Sequence, residues 1–384
     1  MKIGIISEYF PKSKNLEIRG GAEARAFHIA KILVKNNEVT VITSREDGRK
    51  INDEILGIKV FRVGKSRKYT QAGSFIERFT FIKDAIKIGK KQDFDIIEGT
   101  NFLSYPVAWK VGEYLAIPKV ITYHDVWIGK WIKNIGITGI FGEILERYTR
   151  SKKWNTIIAN SNYTQETLRA FGFMSDNIIT IHNGVDLEKY RNIKVEKFEE
   201  PTICTISRLV KYKKIDDLIK AVSIIQKDIS NIKLKIIGTG PEEVNLKKLV
   251  NKLNLRANVE FLGFIENHDD VIRQLKASDV FALPSIVEGF GMVVIEAMAA
   301  GIPYVASDIP PIREVTSKGI GGLLFEPTNC EDLALKVKML LKDESLRAKV
   351  MKDGNKHVEN YEWTKMAREV EKLYDKLINQ EVLE

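Results

Sequence analysis

Short apolar runs alternate with stretches of helical periodicity along almost the whole chain. KIGIIS (2–7) and EVTVIT (38–43) are compact runs rich in β-branched residues, the pattern of strands buried on both faces. Between them Ala26, Ile29, Ala30 and Leu33 recur at helical spacing within Ala22–Lys35. Phe75, Phe79, Ile82 and Ile86 mark a second amphipathic helix, and DIIEG (95–99), KVITY (119–123), TIIAN (156–160) and NIITIHN (177–183) are further short strands. A repeated strand–helix order predicts a parallel sheet with helices on both faces.

The pattern breaks at 190–200, where RNIKVEKFEEP is charged, lacks a long apolar face and ends in Pro201. A second series then begins with PTICTIS (201–207), a helix from Ile215, KLKIIG (233–238) and a helix after Pro241. NVEFLG (258–263), DVFALP (279–284), a helix from Gly291 and PYVAS (303–307) complete it. The expected organisation is an α/β protein of two Rossmann-like domains, 1–190 and 191–362, with a cleft between them. A last helix is expected over about 363–384, roughly from Trp363 to Asn379. Ligands of such folds bind beyond the carboxyl ends of the strands.

A length of 384 residues agrees with two domains. Cys204 and Cys330 form neither a disulfide framework nor a metal cluster. No apolar stretch reaches about 18 residues, and the start reads as a strand rather than a secretion signal. The expected location is therefore the cytoplasm. The net charge of +9 lies entirely in residues 1–190, while 191–384 are balanced. That asymmetry points to an anionic partner or to a solvated basic surface. Lys59, Arg62, Lys65, Arg67 and Lys68 crowd one segment of this half, and Arg78, Lys83, Lys87, Lys90 and Lys91 follow. WIGKWIKNIGI (127–137) mixes tryptophan, isoleucine and lysine, which suits a membrane interface or a packed acceptor loop.

The densest chemistry lies in PSIVEGFGMVVIEAMAAG (284–301). A strand ends at Pro284, a glycine-bearing loop holds Glu288, and a helix starts near Gly291. Amides at a helix start favour phosphate, while Glu288 and Glu296, two turns apart, can take hydroxyls at two ends of an extended ligand. Arg208 and Lys213 follow the strand 201–207 and suit a diphosphate.

These residues, in this order, resemble the retaining glycosyltransferases of family four (group 1), which have the GT-B fold. The likeness extends through GGAE (20–23), YHD (123–125), NS (160–161), HNGVD (182–186) and SRLVKYKKIDDLIKA (207–221). It continues through IIGTGPE (236–242), VEFLGFI (259–265) and EAMAAGIPYVASDIPPIREV from Glu296 onward. It implies that the last helix, about 363–384, packs back onto the first domain, that Glu288 binds the transferred sugar and that Glu296 binds the ribose. Main-chain groups at Phe290, Gly291, Met292 and Val293 face the donor, and Gly263, Phe264 and Ile265 read the base. Arg208 and Lys213 meet the leaving diphosphate, Gly20 and Gly21 lie against the donor, and His124 approaches the reacting sugar. Asp125 either orients His124 or caps the next segment. Lys214 and Ser207 depart from the pattern, since glycine is usual at both places.

The implied reaction is metal-independent transfer, with retention, from a nucleoside-diphosphate sugar to a hydroxyl of a carbohydrate or lipid-linked acceptor. A UDP-sugar is favoured over a GDP-sugar, no resident cofactor is implied, and no side chain is required as a covalent nucleophile. The basic half adds an anionic membrane surface as a partner, with the protein peripheral on the inner face of the cell membrane. The rival readings are a nucleotide-sugar epimerase, a non-catalytic nucleotide-sugar-binding protein and a nucleic-acid-binding protein. No nucleic-acid module is visible.

Overall fold

The computed structural model describes residues 1–12, 18, 20–46, 51–67, 75–173 and 178–381. The chain forms two compact units, Met1–Asn183 with Trp363–Glu384, and Gly184–Glu362. The division falls at Asn183–Gly184, ahead of the charged segment 190–200.

The first unit has an eight-stranded sheet, ordered β3-β4-β2-β1-β5-β6-β7-β8. Its strands are β1 (Lys2–Ser7), β2 (Glu38–Glu46), β3 (Asn52–Ile55), β4 (Ile58–Arg67), β5 (Ile96–Gly99), β6 (Lys119–Tyr123), β7 (Thr156–Ala159) and β8 (Ile178–Thr180). All pairs are parallel except the edge hairpin β3–β4. That hairpin has no counterpart in the apolar pattern, because β4 spends its outward positions on Lys59 and Lys65 and half-buries Phe61.

Helices α1 (Gly21–Leu33), α2 (Phe75–Gly89) and α3 (Tyr105–Leu115) cover this sheet. In α2 the buried positions are Phe81, Ala85 and Gly89, with Ile82 and Ile86 partly covered. Phe79, expected on the inner face, is 64% exposed. A run in which nearly every turn offers two apolar residues does not reveal which of them the sheet takes.

Arg62 and Arg67, read as surface charges, are also corrected: both are buried, at 1% and 3% exposure. Arg67 pairs with Glu8 at 3.0 Å, and Arg62 donates to the Pro11 carbonyl at 2.8 Å. Lys65 is exposed, and Lys68 lies outside the described residues.

The last helix of the chain, α15 (Trp363–Glu381), belongs to this first unit. Trp363 stacks on His28 of α1, with centroids 5.1 Å apart and planes 6° apart. The Tyr374 hydroxyl donates to the buried carboxylate of Glu98 on β5, which also accepts from Thr122 on β6.

The second unit has six parallel strands, ordered β11-β10-β9-β12-β13-β14. They are β9 (Thr202–Ile206), β10 (Lys233–Ile237), β11 (Val259–Gly263), β12 (Val280–Leu283), β13 (Tyr304–Ser307) and β14 (Gly322–Phe325). One face is covered by α8 (Ile215–Ile225), where Ile215, Leu218, Ile219, Val222 and Ile225 form a helical stripe at 0–2% exposure. The other face is covered by α11 (Met292–Ala299), whose Val294, Ile295, Ala297 and Met298 are buried together with Tyr304 and Ile312. Among the described residues no helix is long and apolar enough to cross a membrane.

Tyr374→Phe leaves one buried oxygen of Glu98 without its donor. The expected loss is about 1–3 kcal/mol in the unfolding of the first unit. Denaturant unfolding followed by Trp363 fluorescence measures it, and an unchanged midpoint would show that α15 is held by apolar packing alone.

Candidate active site

In the second unit the strand order reverses between β9 and β12, so the loops leaving these strands diverge and open a crevice at their carboxyl ends. Arg208 lies in the loop after β9, which passes through a 3-10 turn at Lys211–Lys213 into α8. Glu288 lies in the loop after β12. Lys213 Nζ donates to Glu288 Oε1 at 2.5 Å, with the two side chains 14% and 11% exposed.

Tyr212 joins the constellation. Its hydroxyl accepts from Arg208 Nη2 at 2.5 Å, and its carbonyl accepts from Ile286 N at 2.9 Å. The Arg208 and Lys213 head groups lie 6.0 and 5.7 Å from its ring centre. Sequence reasoning passed over Tyr212; an aromatic between two site cations was the available signal.

Lys214 adopts φ 52°, ψ 36°, the left-handed turn for which glycine is usual. That conformation costs a lysine roughly 1–2 kcal/mol. The side chain offers compensation, since Nζ lies 3.0 Å from buried Asp217 and 3.5 Å from Asp216 in the first turn of α8.

Gly291 caps the start of α11 at φ 88°, and a Cβ there would stand 2.4 Å from Ile312 Cδ1. The left-handed turn therefore favours glycine, and any side chain would also displace the end of Ile312. The amides of Met292 and Val293 open the helix, and their side chains are partly buried against the core. The Phe290 side chain is buried at 3% and packs edge-on to Tyr361.

Glu296 follows on the same helix. Desolvation raises its carboxyl to about 7, and it faces the buried phenol of Tyr190. Gly263 ends β11, Phe264 is 48% exposed, and Ile265 is partly buried against the core.

In the first unit the reversal falls between β1 and β5. Gly20 caps α1 in an extended conformation, and Gly21 is the first residue of that helix. His124 directly follows β6, and its Nε2 lies 3.1 Å from the Thr100 carbonyl beyond β5. A carbonyl can only accept, so Nε2 carries the proton and Nδ1 is left as an acceptor. Burial, and then the charge of Arg25, push the imidazole down to about 3. Arg25 is itself locked on the carbonyls of Ile181 and His182 and on Asn183 Oδ1, at 3.0, 2.7 and 3.1 Å. Asp125 Oδ1 accepts from Val126 N at 2.8 Å, so it shapes the following segment.

Of the two readings of 127–137, a membrane interface or a packed acceptor loop, Trp131 fits the packed one. It is only partly exposed, and Nε1 donates to Glu146 Oε2 at 2.6 Å. The exposed apolar residues here are Ile132, Ile137, Ile140 and Ile144. Among the described residues no group of three or more His, Cys, Asp or Glu is placed to hold a metal.

Two family models match the chain: Glycosyltransferase Family 4 over residues 19–189, and Glycosyl transferases group 1 over 186–357. N-acetyl-alpha-D-glucosaminyl L-malate synthase of Bacillus anthracis is 30% identical over 75% of this chain and 76% of its own length. The chain belongs to the group 1 glycosyltransferases. An uncharacterised glycosyltransferase of Methanocaldococcus jannaschii is 28% identical over 97% of this chain and 98% of its own. N,N'-diacetylbacillosaminyl-diphospho-undecaprenol alpha-1,3-N-acetylgalactosaminyltransferase of Campylobacter jejuni is 25% identical over 93% and 97%.

Sucrose-phosphate synthase of Thermosynechococcus elongatus superposes at a TM-score of 0.82, with 20% identity and 99% of each chain covered. Anabaena HepE in complex with UDP-glucose superposes at 0.76, with 19% identity over 98% of this chain and 100% of its own. These likenesses establish the GT-B fold. Nothing in the comparisons supports an epimerase, a non-catalytic binding protein or a nucleic-acid-binding protein.

The His124 imidazole of this glycosyltransferase should stay neutral from pH 5 to 8. Its folded value lies below the unfolded one, so its contribution to stability is present above about pH 6.5 and is lost as pH falls toward 3. Proton NMR of the imidazole, with His124→Asn for assignment, checks this. A midpoint above pH 5.5 would contradict the buried, Thr100-bound geometry.

Proposed function

We propose that this glycosyltransferase is retaining and metal-independent, takes a UDP-sugar in its second unit, and offers the acceptor from its first. The observation that carries the reading is the Lys213–Glu288 pair at the β9/β12 reversal, with Arg208 held alongside by Tyr212. A pair of this kind is a charge store. When a diphosphate arrives, Lys213 turns to it, and Glu288 is released to accept hydroxyls of the sugar. Arg208, Lys213 and the amides of Met292 and Val293 then face the oxygens on which charge grows as the bond to the anomeric carbon breaks. The acceptor oxygen bonds to that carbon from the departing side, and its proton passes to a diphosphate oxygen. Neutral His124 accepts from a hydroxyl through Nδ1. Glu296 takes the ribose hydroxyls, most effectively above about pH 7, where it is ionised.

UDP is favoured because HepE, which shares the fold, is known with UDP-glucose. A lipid-linked or otherwise anionic acceptor is favoured because the Campylobacter relative's name specifies a diphospho-undecaprenol-linked sugar and the Bacillus relative's specifies malate. The exposed isoleucines 132, 137, 140 and 144 lie among exposed Lys133, Arg147 and Arg150. Together with the charge excess of residues 1–190 they support peripheral attachment to an anionic membrane.

Arg208→Ala and Lys213→Ala should each lower kcat by roughly 10²–10³-fold. Turnover of UDP-glucose and related UDP-sugars, with and without acceptor, measures this; near-normal rates in both variants would sink the donor assignment.

The protein should sediment with anionic vesicles at low salt and be released at high salt, because screening shortens the reach of charge to about 8 Å at physiological ionic strength. Ile140→Ser with Ile144→Ser should weaken the salt-resistant fraction. Indifference to anionic vesicles at low salt would leave a soluble acceptor as the better reading.

A further inference from the structure

Glu146 is fully buried in α5 (Gly139–Arg150), and both of its oxygens are used on the segment that follows His124. Oε1 accepts from the main-chain N–H of Trp127 at 3.0 Å, and Oε2 accepts from Trp131 Nε1 at 2.6 Å. The same helix is cut away to seat that segment. A Cβ on Gly142 would lie 2.4 Å from Trp131 Cε3, and one on Gly139 would lie 2.5 Å from the Trp131 carbonyl oxygen. Phe102 closes the other side, edge-on to Trp131 at 4.7 Å. Gly139, Gly142 and Glu146 fall on one helical face at spacings of three and four.

A carboxylate is an expensive way to hold two N–H groups inside a protein, because an apolar residue would fill the space without desolvating a charge. The cost makes sense if the hold itself matters. We propose that Glu146 is a positioning residue, fixing residues 126–131 and thereby the place where an acceptor meets His124. The inference rests on the assignment of the acceptor to the first unit.

Chemistry gives this hold a direction with pH. Ionised, Glu146 accepts both N–H groups; protonated, one oxygen becomes a donor and one bond is lost. Burial raises the carboxyl to about 7, opposed by the two tryptophan donors and reinforced by Asp125 and Glu143. The buried phenols of Tyr105 on α3 and Tyr123 on β6 also face it. Arg147 on the same helix is occupied by Glu143 at 2.7 Å.

The sign separates positioning from stability. The folded value lies above the unfolded value, so stability from this group is greatest at low pH and falls as pH rises from about 4.5 through 7. Positioning runs the opposite way and improves through pH 7. A purely structural role would make the two move together.

The test uses the full chain, with Glu146→Gln as the permanently uncharged form and Gly142→Ala as a variant that keeps the carboxylate but displaces Trp131. In the wild type the Trp131 indole N–H resonance should shift between pH 5.5 and 8.5 with a midpoint near 7, and in Glu146→Gln it should be flat. With UDP-glucose as donor and octyl glucoside as acceptor probe, both variants should raise the acceptor KM about tenfold at pH 8, the effect of one lost hydrogen bond. UDP affinity should change less than twofold. A wild-type indole resonance that ignores pH, or an acceptor KM unchanged in both variants, overturns the proposal. Failure of the wild type to bind UDP at all would instead count against the donor assignment, and the indole titration would still decide the role of Glu146.

Discussion

Lys213 and Glu288 sit 2.5 Å apart in loops leaving neighbouring strands, and neither is open enough to be hydrated as a surface charge would be. Keeping that pair in place is the constraint from which much of the second unit follows. The loops must diverge, which requires the strand order to reverse between β9 and β12. The loop after β12 must turn into α11 through a left-handed Gly291, φ 88°, with the end of Ile312 packed against it. The loop after β9 must turn left-handed at Lys214, a conformation partly offset by its contacts with Asp216 and Asp217. Tyr212 then fastens one loop to the other through the Ile286 amide and holds Arg208 beside Lys213.

The first unit handles charge in the opposite way. Arg25 is buried at 2% exposure and committed to main-chain carbonyls, and its charge adds to the burial that keeps His124 neutral. A neutral imidazole with its Nε2 proton on Thr100 is suited to accepting from a hydroxyl and unsuited to acting as a cation. The cations suited to a diphosphate, Arg208 and Lys213, belong to the second unit. Glu98 ties this environment to α15 through Tyr374, so the end of the chain helps to hold the strands that carry His124 and Thr100.

Much of this was legible in the sequence where chemistry and order along the chain coincide. Buried parallel strands are short apolar runs, and the donor-side candidates fall just after such runs: Arg208 and Lys213 after β9, Glu288 after β12. What was not legible depends on partners distant in sequence. Arg67 reads as a surface charge until Glu8 is brought against it. Trp131 reads equally as interfacial or packed until Glu146 and Gly142 appear from the next helix. Phe79 and Phe81 are equivalent in the periodicity of α2, and only the position of the sheet decides that Phe81 goes inside. Tyr212 was overlooked for a different reason. Its role is to organise two more conspicuous neighbours, and it carries no charge of its own.

In the proposed reaction the charges of Arg208 and Lys213 suffice for departure of the diphosphate, and attack comes from the same face. The anomeric configuration of the product, read from its proton coupling after reaction of an α-linked UDP-sugar in excess chelator, tests both parts at once. The expected result is an α-linked product formed at an undiminished rate. A β-linked product, or turnover that appears only when a divalent metal is restored, would contradict it.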